Sequence, residues 1–389
     1  MLINPALVYA YIWLLATFLY TRYWSDIFLP LSDITLFYIF GSIFAVGLAW
    51  VLTIVMFIGK KIPIKKNIKL MEFSPNTNKK ILFLVYIWCI FSAVELLYFR
   101  DLPILTVFGM GSITYHTYGI PSLHGFLNAI IQSLSMYAIY LWMKSKDKKY
   151  LFFYMLTIVP YILMMTRGGV TSLLIQSIFV FLIFKDKKVS FSLIVKASVL
   201  VFVFVFVFSF LGDVRNVDFY GDIYDVMQIS SDFPSFLAKD FMWVYMYITA
   251  AINNVENTIS VYDNWNFEPY IILYGLFPSF IRNILPIPYS PELVSLAFNV
   301  SSFMPKYLFA FGIYGSLIFY FLASLVPLYF YQKFIRTREI KYGFILAIFL
   351  HSIVLSIFSD FFLIQVYIFQ LFLQYLVFNK IIFRVKDVN

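Results

Sequence analysis

The sequence predicts an all-α polytopic membrane protein, and three observations carry that expectation. Hydrophobic residues make up 62% of the chain and charged residues 13%, far from the balance of a soluble globular domain. The apolar residues fall in many runs of about 15 to 25, the length that crosses a bilayer as a helix. The runs are also continuous, as in ASVLVFVFVFVFSFL at 197–211, whereas a membrane β-barrel would show roughly ten-residue segments with an alternating polar face. Phe and Val alternate in that stretch, but both are apolar and its length favours a helix.

The apolar runs lie at 5–20, 34–59, 81–99, 122–143, 150–165, 170–184, 189–211, 307–331, 343–359 and 361–378, which gives about ten spanning helices. Pro103, Pro121 and Pro160 blur several ends, so the range is roughly nine to twelve. The first run has no basic segment before it and no small-residue cleavage site, which marks it as a retained helix and not a signal peptide. Lysine clusters at Lys60 to Lys80, Lys144 to Lys149, Lys185 to Lys188, Lys333 to Lys341 and Lys380 to Lys386 separate alternate pairs of runs. The positive-inside rule makes those turns, and with them both termini, cytoplasmic. Lys196 lies near the same end of its run and can snorkel there. The other face then carries 21–33, 100–121, a tight turn at 166–169, a turn at Asp360, and one large external loop at 212–306 within a single transmembrane domain of 1–389. In that loop FMWVYMYITAAI and YIILYGLFPSFIRNIL are interrupted or flanked by Asn, Asp and Pro, a pattern of short interfacial or re-entrant helices. A lone Cys89 excludes an intramolecular disulfide.

The arginines break the pattern that the lysines follow. Arg22, Arg100, Arg167, Arg215 and Arg282 fall on the external face, while nearly all lysines fall inside. Positive-inside bias acts on both residue types, so it does not explain guanidinium surviving where ammonium does not. A guanidinium is planar, permanently charged and bidentate, and it suits phosphate or carboxylate. Arg22 and Arg100 read as partners of external acids or lipid headgroups. Arg167, in LMMTRGGVTSLL, is placed at or below the membrane surface by the short runs around it, where a charge needs a partner or a water-filled cavity. Gly168 and Gly169 would let the backbone turn sharply and another group approach, with helix-start amides adding affinity for an anion. The competing reading is an interfacial anchor closing a helical hairpin. Arg215, in FLGDVRNVDFYGD, and Arg282, in FPSFIRNILPIPYSPE, lie near the same depth, and the three together could hold a diphosphate.

Other chemistry is sparse. His116, His124 and His351 lack metal-ligand spacing, so a zinc site is not expected. His351 reads as a hydrogen-bonded packing residue. His116 and His124, in TYHTYGIPSLHGFLNAI, lie on the external loop and at the entry of the next helix, where a base could meet a substrate. No phosphate-binding glycine loop marks an ATP-driven pump. Glu95 alone among the acids lies well inside a predicted span, which gives no ion path.

GIPSLHGFLN (119–128), TRGG (166–169), DVRN (213–216) and FGIYGSLIFYFL (311–322), in this order and with one large external loop, resemble the Wzy-type oligosaccharide repeat-unit polymerases of O-antigen and capsule synthesis. The resemblance covers roughly residues 90 to 330. External arginines recur as functional residues in that family, which carries over by motif to Arg167 and Arg215 and by loop position to Arg282. Some members carry Arg followed by Gly eleven positions on; Arg100 and Gly111 have that spacing here, whereas Val226 and Leu293 stand at the corresponding places after Arg215 and Arg282. The resemblance implies a membrane glycosyltransferase of the bacterial cytoplasmic membrane with its site on the external face. It would move a growing glycan from undecaprenyl diphosphate onto the non-reducing end of another lipid-linked repeat unit. Such a reaction needs charge stabilisation of the departing diphosphate, a base near the acceptor hydroxyl, and lateral access for two prenyl tails. The arginines fit the first role, and His124, His116, Asp218 or Asp222 the second. The scheme calls for no metal or other cofactor and no nucleic acid; membrane lipids and a chain-length regulator protein are the further partners it allows. An O-antigen ligase would use similar arginines with another acceptor. A flippase or secondary transporter of the same lipids would show two repeats and polar residues at the midplane, neither of which is legible in the sequence.

Overall fold

The computed structural model describes residues 3–58, 72–114, 117–185, 225, 227–237, 240–261, 267–286, 293–294 and 300–379. Among these residues the chain is all-helical. In order the helices are α1 (Pro5–Tyr20), α2 (Asp33–Ile58), α3 (Pro75–Phe99), α4 (Pro103–Val107), α5 (Leu123–Ser145), α6 (Lys148–Leu163), α7 (Arg167–Phe184), α8 (Asp240–Val261), α9 (Tyr270–Tyr274), α10 (Ser279–Arg282), α11 (Met304–Thr337), α12 (Ile340–Leu355) and α13 (Gln365–Phe378). Five stretches are long and apolar enough to cross a membrane: Asp33–Ile58, Pro75–Thr106, Leu123–Ser145, Arg167–Phe184 and Met304–Thr337. The protein is therefore membrane-embedded. α1, α12 and α13 are shorter apolar helices. All the predicted runs coincide with helices except 189–211, which lies outside the described residues.

Helices begin where the local chemistry allows. Asn4, Ser74 and Asp147 cap α1, α3 and α6 through their side chains, and Pro5 and Pro75 occupy the first turn, where a missing N–H costs nothing. Lysine contacts then gather one end of the bundle. Lys80 Nζ donates to the carbonyls of Leu376 and Asn379 at 2.7 Å each, Lys341 Nζ donates to Asn379 Oδ1 at 2.8 Å, and Lys144 pairs with Glu72 at 2.7 Å. The starts of α3 and α12 and the ends of α5 and α13 thus share a basic end. The arginine-bearing turn between α6 and α7 lies at the other.

Two buried aromatic-rich clusters fill the interior, one centred on α1, α2, α8 and α11, the other on α5, α7, α12 and α13. In lipid, packing and interhelical hydrogen bonds hold helices together, each buried bond contributing about 0.6 to 2 kcal/mol. The second cluster holds such bonds in its core. Gln176 and Gln370 exchange amide hydrogen bonds at 2.7 and 2.9 Å, Gln132 accepts from Gln176 at 3.3 Å, and Tyr137 donates to Gln374 at 2.9 Å.

α8 contains FMWVYMYITAAI, expected as a short interfacial or re-entrant helix, and is longer than that expectation. It runs on to Val261, and Trp243, Met246, Ala251, Ile252 and Val255 are fully buried. The Asn and Glu residues that interrupt its apolar pattern point inward and hold loops. Asn253 Oδ1 accepts from the Tyr20 hydroxyl and the Leu29 N–H, Asn254 binds the Val300 carbonyl and the Val294 N–H, and Glu256 accepts from the Ser32 N–H and hydroxyl. α9 and α10, in the second apolar stretch of that loop, are short as expected.

α11 is two helical pieces joined at Gly312, whose φ of 67° and ψ of −175° suit glycine alone. A broken helix frees carbonyls that must find donors when buried. The Glu268 N–H supplies one, donating to the Ala310 carbonyl at 3.0 Å.

Candidate functional site

Arg167 is the first residue of α7, at the end of the bundle away from the lysines. Its guanidinium carbon lies 5.9 Å from the ring centroids of both Trp243 and Tyr247 of α8, and Nη2 reaches the Tyr247 hydroxyl at 3.4 Å. Two aromatic faces thus orient a half-buried guanidinium, a setting in which cation–π attraction adds to its placement. The chain turns before it at Met165, which has a φ of 55°. Gly168 and Gly169 are already helical, which corrects the expectation that they make the turn. Gly169 has a packing role instead: a Cβ there would lie 2.1 Å from the Tyr161 ring, whereas nothing lies within 4 Å of one on Gly168. Gly169→Ala is expected to cost about 1 to 3 kcal/mol through overpacking. Gly168→Ala should be neutral or stabilising by up to about 1 kcal/mol. Thermal unfolding in detergent compares them, and equal midpoints for the two variants would contradict the packing assignment.

A line of contacts runs from Arg167 to two further cations. Tyr247 packs against Phe358 at 6.4 Å between ring centroids, and Phe358 precedes the buried Asp360 by two residues. Asp360 Oδ2 pairs with Lys306 at 2.6 Å and accepts from the Tyr307 hydroxyl at 3.3 Å, while Oδ1 accepts from the N–H groups of Phe362 and Leu363. A Cβ on Gly275 would lie 3.5 Å from Lys306 Nζ, and Tyr274, next in chain, lies under the Arg282 guanidinium at 6.0 Å. Arg282 Nε is buried and has no hydrogen-bond partner among the described residues. Arg167, Lys306 and Arg282 are thus joined only through intervening residues, and Lys306 is a cation that the sequence reading does not single out. Its sequence signal was available: a lysine beside the start of a span on the face where positive-inside bias disfavours it.

His124 stands in the first turn of α5. Its Nδ1 meets Oε2 of Glu95 at 3.0 Å, and Oε1 of Glu95 accepts the Ile120 N–H at 2.9 Å. Glu95, singled out in the sequence only as an acid inside a span, sits near the end of α3 and is 3% exposed. Residues 117–122 run beside them, with the Ile120 amide on Glu95 and the Tyr118 ring against His124. The Asp101 carboxylate accepts from the Leu102, Ser112 and Ile113 amides.

Arg215, His116, Asp218 and Asp222 lie outside the described residues. His351 departs from expectation: it is fully buried against Phe361 and Tyr367, yet neither ring nitrogen has a hydrogen-bond partner among the described residues. The interior also holds Gln132, Gln176, Gln370 and Gln374, buried polar residues that the sequence reading does not single out. No protein-family model, curated protein or solved structure matches the chain.

Proposed function

We propose that this protein polymerises lipid-linked oligosaccharide repeat units at the external face of a bacterial cytoplasmic membrane, with about ten spans and both termini cytoplasmic. It transfers the growing glycan from undecaprenyl diphosphate to the non-reducing end of a second lipid-linked unit. The observation that carries the reading is the guanidinium of Arg167 set against the neighbouring rings of Trp243 and Tyr247, at the end of the bundle opposite the lysine clusters. An oriented guanidinium can receive the charge that develops on a departing diphosphate, which is the largest electrostatic demand of the reaction.

Transport of the same lipids is the second reading. The buried glutamines and the broken α11 favour it, because unwound helices and interior polar groups line many transport paths. Gene deletion separates the two. Loss of the polymerase collapses a ladder of long glycans on a gel to material bearing one repeat unit. Loss of even that unit would point to transport or ligation, and unchanged long chains would remove the polymerase reading.

A further inference from the structure

We infer that His124 takes the proton from the acceptor hydroxyl and that Glu95 is a positioning residue fixing the imidazole for that task, an assignment that rests on the polymerase reading. Glu95 is closed in by α3 and the loop above it, its side chain 4% exposed, and it accepts at both oxygens. Because the carboxylate accepts from Nδ1, the neutral imidazole carries its proton there and presents an unprotonated Nε2. The ring is only partly enclosed, the His124 side chain being 24% exposed.

The backbone is shaped around this ring. Gly119 has a φ of 110°, and a Cβ on it would lie 2.6 Å from the imidazole, so glycine is required for both its conformation and its size. Tyr118 meets the ring edge-on at 5.9 Å. A histidine that only closed a helix start would need neither a buried carboxylate on Nδ1 nor a glycine cleared for its ring. The pairing is that of a base oriented by a third group.

In the transfer, the acceptor hydroxyl oxygen bonds to the anomeric carbon of the donor glycan as the bond from that carbon to the diphosphate oxygen breaks. The bonding pair leaves with the lipid diphosphate, which gains one negative charge. The hydroxyl proton passes to Nε2, and the resulting imidazolium, paired with Glu95, returns it to water at the external face.

The test uses the full-length protein in nanodiscs with a lipid-diphosphate-linked oligosaccharide repeat unit, reading polymer formed. His124→Gln can still donate to Glu95 but cannot take a proton, so kcat should fall about 10²- to 10⁴-fold while KM stays within about threefold. Glu95→Gln should lower kcat with KM unchanged, and Glu95→Asp, which keeps the charge one methylene short, should recover part of the loss. A purely structural pair would instead tolerate His124→Gln and show Glu95→Gln as a lower unfolding midpoint with kcat intact; that result overturns the assignment. Wild-type protein that makes no polymer removes the polymerase reading and this inference with it. Wild-type protein that polymerises beside an equally active His124→Gln removes this inference alone.

Discussion

Arg167→Lys is expected to shorten the glycan ladder severely while the protein inserts at normal levels. Lysine keeps the charge, and its ammonium can still sit over the rings of Trp243 and Tyr247. It loses the planar fork that grips two phosphate oxygens at once. One charge-assisted contact is worth about 1.5 to 3 kcal/mol, or roughly ten- to a hundredfold in rate. Arg167→Ala should lose more, since it also removes the attraction to the two rings, each guanidinium–centroid distance being 5.9 Å. The measurement is chain length on a gel at matched membrane expression. An interfacial anchor would tolerate lysine, so near wild-type ladders from both variants would sink the diphosphate role and leave TRGG as the start of a packed helix.

The parts of this molecule that the sequence reveals are those fixed by local composition. Continuous apolar runs and lysine clusters located the helices, because in lipid a helix needs only length and internal hydrogen bonding. α8 is longer and more buried than its sequence suggests for a physical reason. Asn253, Asn254 and Glu256 look like a wet face, but their partners Tyr20, Leu29, Ser32 and Val300 lie elsewhere in the chain, more than 200 positions away for the first three. A polar residue in a sequence does not say whether water or a distant amide satisfies it.

The site divides in the same way. Arg167 is legible because a charge between two apolar runs is a local anomaly, whereas the aromatic pair beside it comes from Tyr247, 80 positions on, and Trp243. Glu95 and His124 were each visible as an oddity, one an acid inside a span and the other a histidine at a helix entry. Only the packing of α3 against α5 makes them a pair. At Gly169 the expected sharp turn is absent, but the expected close approach is there, and the group that approaches is the Tyr161 ring, which no spacing rule names.

Lys306→Met is expected to destabilise the protein by about 3 kcal/mol, near the lower end of the roughly 3 to 5 kcal/mol range for breaking a buried pair. The removed charge leaves Asp360 behind, and its side chain is only 6% exposed, so the carboxylate cannot regain water easily. The loss stays moderate because the Tyr307 hydroxyl and the Phe362 and Leu363 amides still donate to it. Asp360→Asn should cost less, since Lys306 is 24% exposed and can hydrate. In the double variant neither charge is stranded, and much of the Lys306→Met loss should return; that non-additivity is the signature of direct coupling. Unfolding midpoints in detergent give the cycle. Simple additivity, with each single change below about 1 kcal/mol, would mean that the pair behaves as an exposed surface bridge. If the pair is coupled, the first half of the broken α11 is pinned to the turn before α13, beside Gly275 and the Arg282 segment. Lys306→Met should then shorten glycan chains at matched expression, and the Asp360→Asn double variant should restore stability.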